Sequence, residues 1–235
     1  MRKFITILTF VFLSILSFGQ TDREMALFNE VNNFRSNPKS YIPLVEDYIR
    51  LQGMCIDMVK DGSMVIKSGN GKMDKDNNMY EVKSLNGLNR IKAEIKAANE
   101  LLSILDTLVL DTIIFSSEMY KISKIHNIHL DSVKKIGHFG TNGTSPHDRF
   151  KDTGYTIGEN LSTLGNIGDT MTFKSTILTM LVDAGISNRG HRLMLIKPNY
   201  THGSVGISSY EKTSSGFTYD NEYCIVNLGY KKEGY

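Results

Sequence analysis

The sequence predicts an α+β fold, on three observations. Apolar residues recur at helical spacing through most of residues 21–135 and again in 169–183, whereas residues 204–230 alternate at strand period across one hairpin. No internal repeat and no Pro-rich or Ser-rich linker divides the chain, so helices and strands belong to one domain. Helices first and a strand meander last place the helices over the faces of a sheet.

The chain opens on a processing signal. Arg2 and Lys3 precede an apolar run, Phe4 to Phe18, and Ser17 and Gly19 stand at −3 and −1 to a cut before Gln20. That is the pattern of a secretory signal peptide over residues 1–19, leaving a domain at 20–235. A membrane anchor is the rival reading, but the run is short of the ~20 residues a span needs. No later stretch is long and apolar enough to cross a bilayer, so a soluble, exported protein is expected.

Thr21 to Asn37 reads as a helix with Leu27, Val31 and Phe34 on one face, stopped at Asn37-Pro38. Pro38 opens a second helix with Tyr41, Leu44, Val45 and Tyr48 inward. Residues 53–86 break the pattern: Asp61-Gly62, Gly69-Asn70-Gly71 and the polar run from Asp74 to Asn78 are turn chemistry, with a short strand expected at Met64 to Ile66. This is an irregular insertion within the domain. Leu88 to Leu105 is helical, with Ile91, Ile95, Ala98 and Leu102 aligned. Ser116 to Lys135 forms the next helix, capped by Ser116 or Ser117 and ended by Gly137, with Met119, Ile122, His126, Leu130 and Val133 on its apolar face. Gly137 to Tyr155 is loop, Asp169 to Asp183 is helix, and Ser204 to Tyr210 and Tyr223 to Tyr230 are strands.

Charge excludes some functions. The chain carries 27 basic and 25 acidic residues; losing Arg2 and Lys3 with the leader leaves 25 of each. A neutral chain without a basic stripe is a poor nucleic-acid binder, because phosphate neutralisation dominates that affinity, so no nucleic-acid partner is expected. The two cysteines, Cys55 and Cys224, are not a disulfide scaffold, and nothing in the sequence brings their segments within the ~7 Å a bridge needs.

Three glycine-flanked polar residues stand out as chemistry: His138 in Gly137-His138-Phe139-Gly140, Glu159 in Gly158-Glu159-Asn160, and His191 in Arg189-Gly190-His191-Arg192. Two imidazoles and a carboxylate are the ligand set of a catalytic divalent metal, with a fourth position open. The same trio can instead do acid–base work without metal. His126 and His129 share a helix face; His126, in the apolar stripe, is expected to be a core residue, and Arg149 to pin the loop that presents His138. His147 and His202 are expected on loops. No Gly-x-Ser-x-Gly elbow marks a nucleophile.

Several blocks in order resemble the CAP superfamily of cysteine-rich secretory, antigen 5 and pathogenesis-related proteins. They are Leu27 to Arg35, Gly137-His138 with Arg149 and Gly154-Tyr155, Gly158-Glu159-Asn160-Leu161, Leu181-Val182-Asp183-Ala184-Gly185 followed by Arg189-Gly190-His191-Arg192, and Val205-Gly206-Ile207. The last blocks are similar to its microbial branch. The resemblance covers roughly Thr21 to Tyr230, with residues 53–86 unmatched. It implies a three-layer α-β-α sandwich and a cleft of two histidines and two acids. His138, Glu159 and His191 match three of these positions, and Asp183 is the nearest acid for the fourth. In several relatives the cleft holds zinc or another divalent ion, so His138, His191 and Glu159 are the expected ligands. The implied function is a secreted, extracytoplasmic module binding a metal and a small or extended ligand (lipid, peptide or glycan). The alternative is a hydrolase acting on peptide or glycan bonds, and a third reading is an interaction protein with an inert cleft.

Overall fold

The computed structural model describes residues 20–60, 87–164, 173–214 and 217–234. The leader, the expected strand at Met64 to Ile66 and most of the irregular insertion lie outside them.

Helix α1 (Asp22–Ser36) starts where its sequence says it must. Thr21 Oγ1 accepts from Glu24 N at 3.2 Å, and Glu24 Oε2 accepts from Thr21 N at 2.8 Å, a reciprocal capping box. Leu27, Val31 and Phe34 are fully buried. A single 3₁₀ turn (Pro38–Tyr41) leads into α2 (Ile42–Lys60), which runs through Gly53 instead of stopping there. The expected break at residue 53 thus falls at least seven residues late: the apolar face of α2 continues against α3, and an isolated glycine does not end a packed helix. Next come α3 (Gly87–Leu105), a two-residue strand β1 (Ile114–Phe115) and α4 (Ser117–Val133). Ser116 caps α4, but Lys134, in the left-handed region at φ 51°, ends it three residues before Gly137. The buried face of α4 also differs from the expected stripe. It is Met119, Tyr120, Ser123, His126, Asn127 and Leu130, and Val133 is half exposed.

The chain then forms α5 (Pro146–Phe150), β2 (Tyr155–Thr163), α6 (Phe173–Val182), α7 (Gly190–Leu195) and the long hairpin β3 (His202–Ser214) and β4 (Phe217–Lys231). The sheet order is β1-β3-β4-β2, with β1 parallel to β3 and the other pairs antiparallel. Cys224, Val226 and Leu228 pack with Leu27, Leu101 and Ile177 from α1, α3 and α6. Tyr223 and Ile225, on the opposite face, pack with Leu130 of α4. The fold is therefore α+β, with helices on both sides of one sheet. Among the described residues no helix is long and apolar enough to cross a membrane. Cys55 and Cys224 are both free; burial pushes the Cys224 thiol up to about 12.

Buried polar groups tie the layers together. Glu24 is fully buried and accepts from Ile207 N at 3.0 Å, Tyr120 Oη at 2.8 Å and Lys124 Nζ at 3.4 Å. Burial alone would raise its pKa, but the Thr21 and Ile207 amides with Tyr120 and Lys124 hold it below the usual carboxylate range. Arg35, also fully buried, donates to four carbonyls, of Asp111, Leu195, Lys197 and Tyr200, at 2.8–3.2 Å. Desolvation lowers its pKa to about 10, and it fixes the stretch that follows α7.

Candidate functional site

The site is assembled around β2, an edge strand that the sequence did not announce. Strand neighbours point to opposite faces. Glu159 stands opposite Asn227, on the α4 face, and Asn160 opposite Val226, on the α1/α3/α6 face. Two adjacent residues thereby serve two histidines brought in from different layers.

On the α4 face, His138 Nδ1 lies 3.0 Å from Glu159 Oε1. Arg149 Nη2 donates to Glu159 Oε2 at 2.6 Å, and Arg149 Nη1 donates to the carbonyls of His138 (2.8 Å) and Thr144 (3.0 Å). One guanidinium thus fixes both the carboxylate and the loop carrying the imidazole. Arg149 is presented by α5, whose start is set by a Ser145/Asp148 capping box with Pro146 in the first turn. His126 is buried, as expected, but it also serves the loop. Its Nε2 donates to Gly137 O at 3.0 Å and stands 4.0 Å from Glu159 Oε1, and burial keeps its pKa below the ordinary histidine value. Its ring stacks on His129 at 6.2 Å, and His129 Nδ1 meets Thr141 Oγ1.

On the other face, the Arg-Gly-His-Arg run clamps a loop. Arg189 donates to Glu100 (2.9 Å) and to the carbonyls of Asp183, Ala184 and Ile186 (2.9–3.3 Å). Arg192 donates to the carbonyls of Leu181, Ala97 and Val182 at 2.5–2.7 Å. Between them, Asp183 turns back onto α7: Oδ2 accepts from His191 N at 2.9 Å, and Oδ1 lies 2.9 Å from His191 Nδ1. Asp183 holds a left-handed φ of 51°, which the arginine-clamped carbonyls around it sustain. Asn160 Nδ2 donates to His191 O at 3.0 Å, locking α7 to β2.

His138, Glu159 and His191 line one cleft of about 430 Å³, together with Asn160, Leu193 and Lys197. Gly158 is its floor, where an added Cβ would sit 2.7 Å from Met194 Cγ and 2.9 Å from Tyr200 Oη. Asp183 lies beneath His191, in an adjoining cavity. An ionised carboxylate only accepts, so each Nδ1 donates to its carboxylate, and a ring in its neutral form keeps its lone pair on Nε2. Among the described residues neither Nε2 has a hydrogen-bond partner. Both oxygens of Glu159 are taken by Arg149 and His138, and its side chain is 1% exposed. Among the described residues no three His, Cys, Asp or Glu side chains are placed to hold one ion. The expected trio of direct ligands is not assembled; two carboxylate-oriented imidazoles are. His147 lies in α5 rather than a loop, and His202 opens β3, packed against Tyr155 at 5.6 Å, rather than lying in a surface loop.

No family model and no curated protein matches the chain. Among solved structures it is similar to an outer surface protein from Borrelia burgdorferi, at 18% identity and TM-score 0.38, over 60% of this chain and 95% of that one. It is also similar to an extracellular protein containing an SCP domain from Bacillus anthracis, at 16% identity and TM-score 0.36, over 60% of this chain. The chain spans 38% of the length of that second protein.

Proposed function

We propose that the protein is an exported binding module of the CAP type, whose cleft takes a ligand between His138 and His191. The observation that carries this reading is the pair of His–carboxylate dyads, His138–Glu159 and His191–Asp183, built from two layers of the fold and lining one cleft. The leader-like start and the resemblance of the motifs support export.

A divalent ion such as zinc fits this donor set in part. His138 and His191 would hold it through Nε2, because a ligating imidazole usually has its other nitrogen bonded to a carboxylate, as both have here. Glu159 and Asp183 would then act as orienting groups rather than ligands, and further ligands would come from water or the bound molecule. Once bound, the ion would supply Lewis-acid polarisation of a ligand oxygen. Hydrolysis is the second reading, favoured by the same dyads, since a carboxylate-oriented imidazole is the usual general base. The cleft's lining residues include no Ser, Thr or Cys for His138 or His191 to activate, and Glu159 has both oxygens engaged by Arg149 and His138, so attack by water is the hydrolytic route this site offers. That favours binding over turnover.

Zinc titration by calorimetry tests the binding reading. Wild type should take up zinc at neutral pH, and His138→Ala or His191→Ala should each weaken uptake by about tenfold or more, the loss of one ligand. No uptake by wild type, or uptake indifferent to both substitutions, would contradict it. Turnover of a defined peptide or glycan that disappears in His191→Ala would establish the hydrolase instead.

A further inference from the structure

Two cavities meet at His191. The cleft described above shares Ile186 and His191 with a second cavity of about 230 Å³, lined on its far side by Tyr48, Glu94 and Thr179. The strand β2 runs beneath both: Gly158 and Asn160 line the first, and Ser162 the second. These are successive residues on one face of one strand, so the two cavities are spaced along it over about 13 Å at ~3.3 Å per residue.

Among the described residues β2 is also an edge of the sheet. Gly154 O accepts from Lys232 N, and Leu164 N donates to Glu222 O; both pairs are directly opposite in the β2–β4 register. Hydrogen-bonded pairs alternate in an antiparallel ladder, so the even-numbered residues of β2 face β4. Ile157, Glu159 and Leu161 therefore turn their N–H and C=O groups away from the sheet. Among the described residues no group bonds those outward amides and carbonyls. Glu159 makes the point most clearly: its side chain is 1% exposed, yet the residue as a whole is half-buried, so what solvent reaches is its main chain.

We infer that the ligand is an extended peptide that adds to β2 as a further strand, with a basic side chain in the Glu94 cavity and an acidic one at Lys197. This rests on the reading of the cleft as a binding site and names the ligand class. Alternating N–H and C=O groups on an open edge are matched by another backbone, which is how strand addition obtains affinity. Charge assigns the two ends, and of the two polarities that satisfy it the antiparallel one gives the more stable pairing per residue. The second cavity is lined by Glu94, which accepts from Tyr48 Oη at 2.6 Å and has the exposed Arg90 3.9 Å away outside the lining, and by Asp183, whose oxygens are held by His191; no lysine or arginine lines it, while Lys197 stands at the other end beside Tyr200, its Nζ 4.8 Å from the ring centroid. A chain entering over Ser162 and leaving over Gly158 runs antiparallel to β2 and passes between His138 and His191.

The probe is the capped peptide Ac-Lys-Val-Thr-Val-Glu-amide, titrated into ¹⁵N-labelled full-length mature protein. The amides of Ile157, Glu159 and Leu161 should move together, on one binding curve. In a strand only alternate peptide amides face β2. N-methylation at the second and fourth residues and N-methylation at the first, third and fifth should therefore differ by about tenfold or more in affinity, one set being harmless. Glu94→Gln should weaken the lysine peptide several-fold and leave its norleucine analogue unchanged. Equal effects of the two N-methyl sets, or no binding at millimolar peptide, would overturn strand addition. So would movement of the same amides with protein concentration alone, which would make the edge an interface between copies of this chain. Zinc added to the same samples separates the two claims. If zinc engages His138 and His191 but peptide does not bind, strand addition alone falls; if neither binds, the cleft reading falls with it.

Discussion

Replacing Glu159 with glutamine keeps the shape of the side chain and removes what its two neighbours require. Arg149 Nη2 and His138 Nδ1 both donate to this carboxylate, at 2.6 and 3.0 Å. An amide offers one acceptor oxygen and one NH₂, so only one neighbour can keep its bond as it stands. Arg149 cannot change its protonation and will take the oxygen. His138 then faces an NH₂ and must accept on Nδ1, which moves its proton to Nε2 and removes the lone pair from the cleft. The energetic cost comes mainly from the guanidinium, whose side chain is only 9% exposed and which loses its anion. Breaking a buried pair by removing one charge costs about 3–5 kcal/mol. The two carbonyl bonds that Arg149 retains place this case near the lower figure. For a chain of this size each kcal/mol moves the midpoint by roughly 2–4 °C, so a drop on the order of 10 °C is expected. Urea and thermal unfolding followed by circular dichroism measure it, since the chain has no tryptophan to report. A stability loss below about 1 kcal/mol, with the His138 proton still on Nδ1, would refute the argument.

Other substitutions test the remaining parts. Arg35→Met should destabilise by about 2–6 kcal/mol, because the buried carbonyls of Leu195 and Tyr200 are each left unpaired at about 1–3 kcal/mol while those of Asp111 and Lys197 can turn to solvent; urea unfolding reads it, and a loss below about 1 kcal/mol would show that the buried carbonyls find other partners. His126 has its pKa depressed by burial, so below the unfolded value of about 6.5 the unfolded chain takes a proton that the folded one resists. Stability should therefore fall as pH drops below about 6.5, and His126→Phe should make the curve shallower there; an unchanged slope would show that His126 contributes nothing to it. Native protein should expose Cys55, but not the fully buried Cys224, to a thiol reagent, with both reacting in denaturant without reductant. A native protein with two fast thiols, or a denatured one with none, would contradict the packing of β4.

What the sequence conveyed depended on whether the signal was local. α1 was legible to within a residue because its cap, its apolar face and its Asn37-Pro38 stop all lie within the segment. The polar candidates were legible because glycines mark them, and Arg149 because a loop histidine needs a pin. β2 was not legible. Its residues Gly158 to Ser162 serve a site on both faces and so lack the alternation of a half-buried strand. The buried face of α4 was misplaced by one turn edge, because Ser123 is buried for hydrogen bonding with the sheet rather than for its hydrophobicity, and Asn127 is buried against Gly206, bonded to the sheet through its main-chain carbonyl. Ser123 shares bonds with Ser204 and Asn227, and Tyr223 Oη donates to Asn127 O. Asp183 had no local sign of its partner, since the bond to His191 exists only when Arg189 and Arg192 fold the intervening loop back.

Two carboxylate-oriented imidazoles, His138 and His191, present their Nε2 atoms to one cleft. A long-range ¹H–¹⁵N spectrum of the histidine-labelled protein at neutral pH, before and after zinc, reads the position of each imidazole proton. Both His138 and His191 should be Nδ1–H tautomers, with both Nε2 resonances moving on one zinc titration while His126 stays put. An Nε2–H tautomer at either residue, or zinc moving His126 and His129 instead, would contradict it.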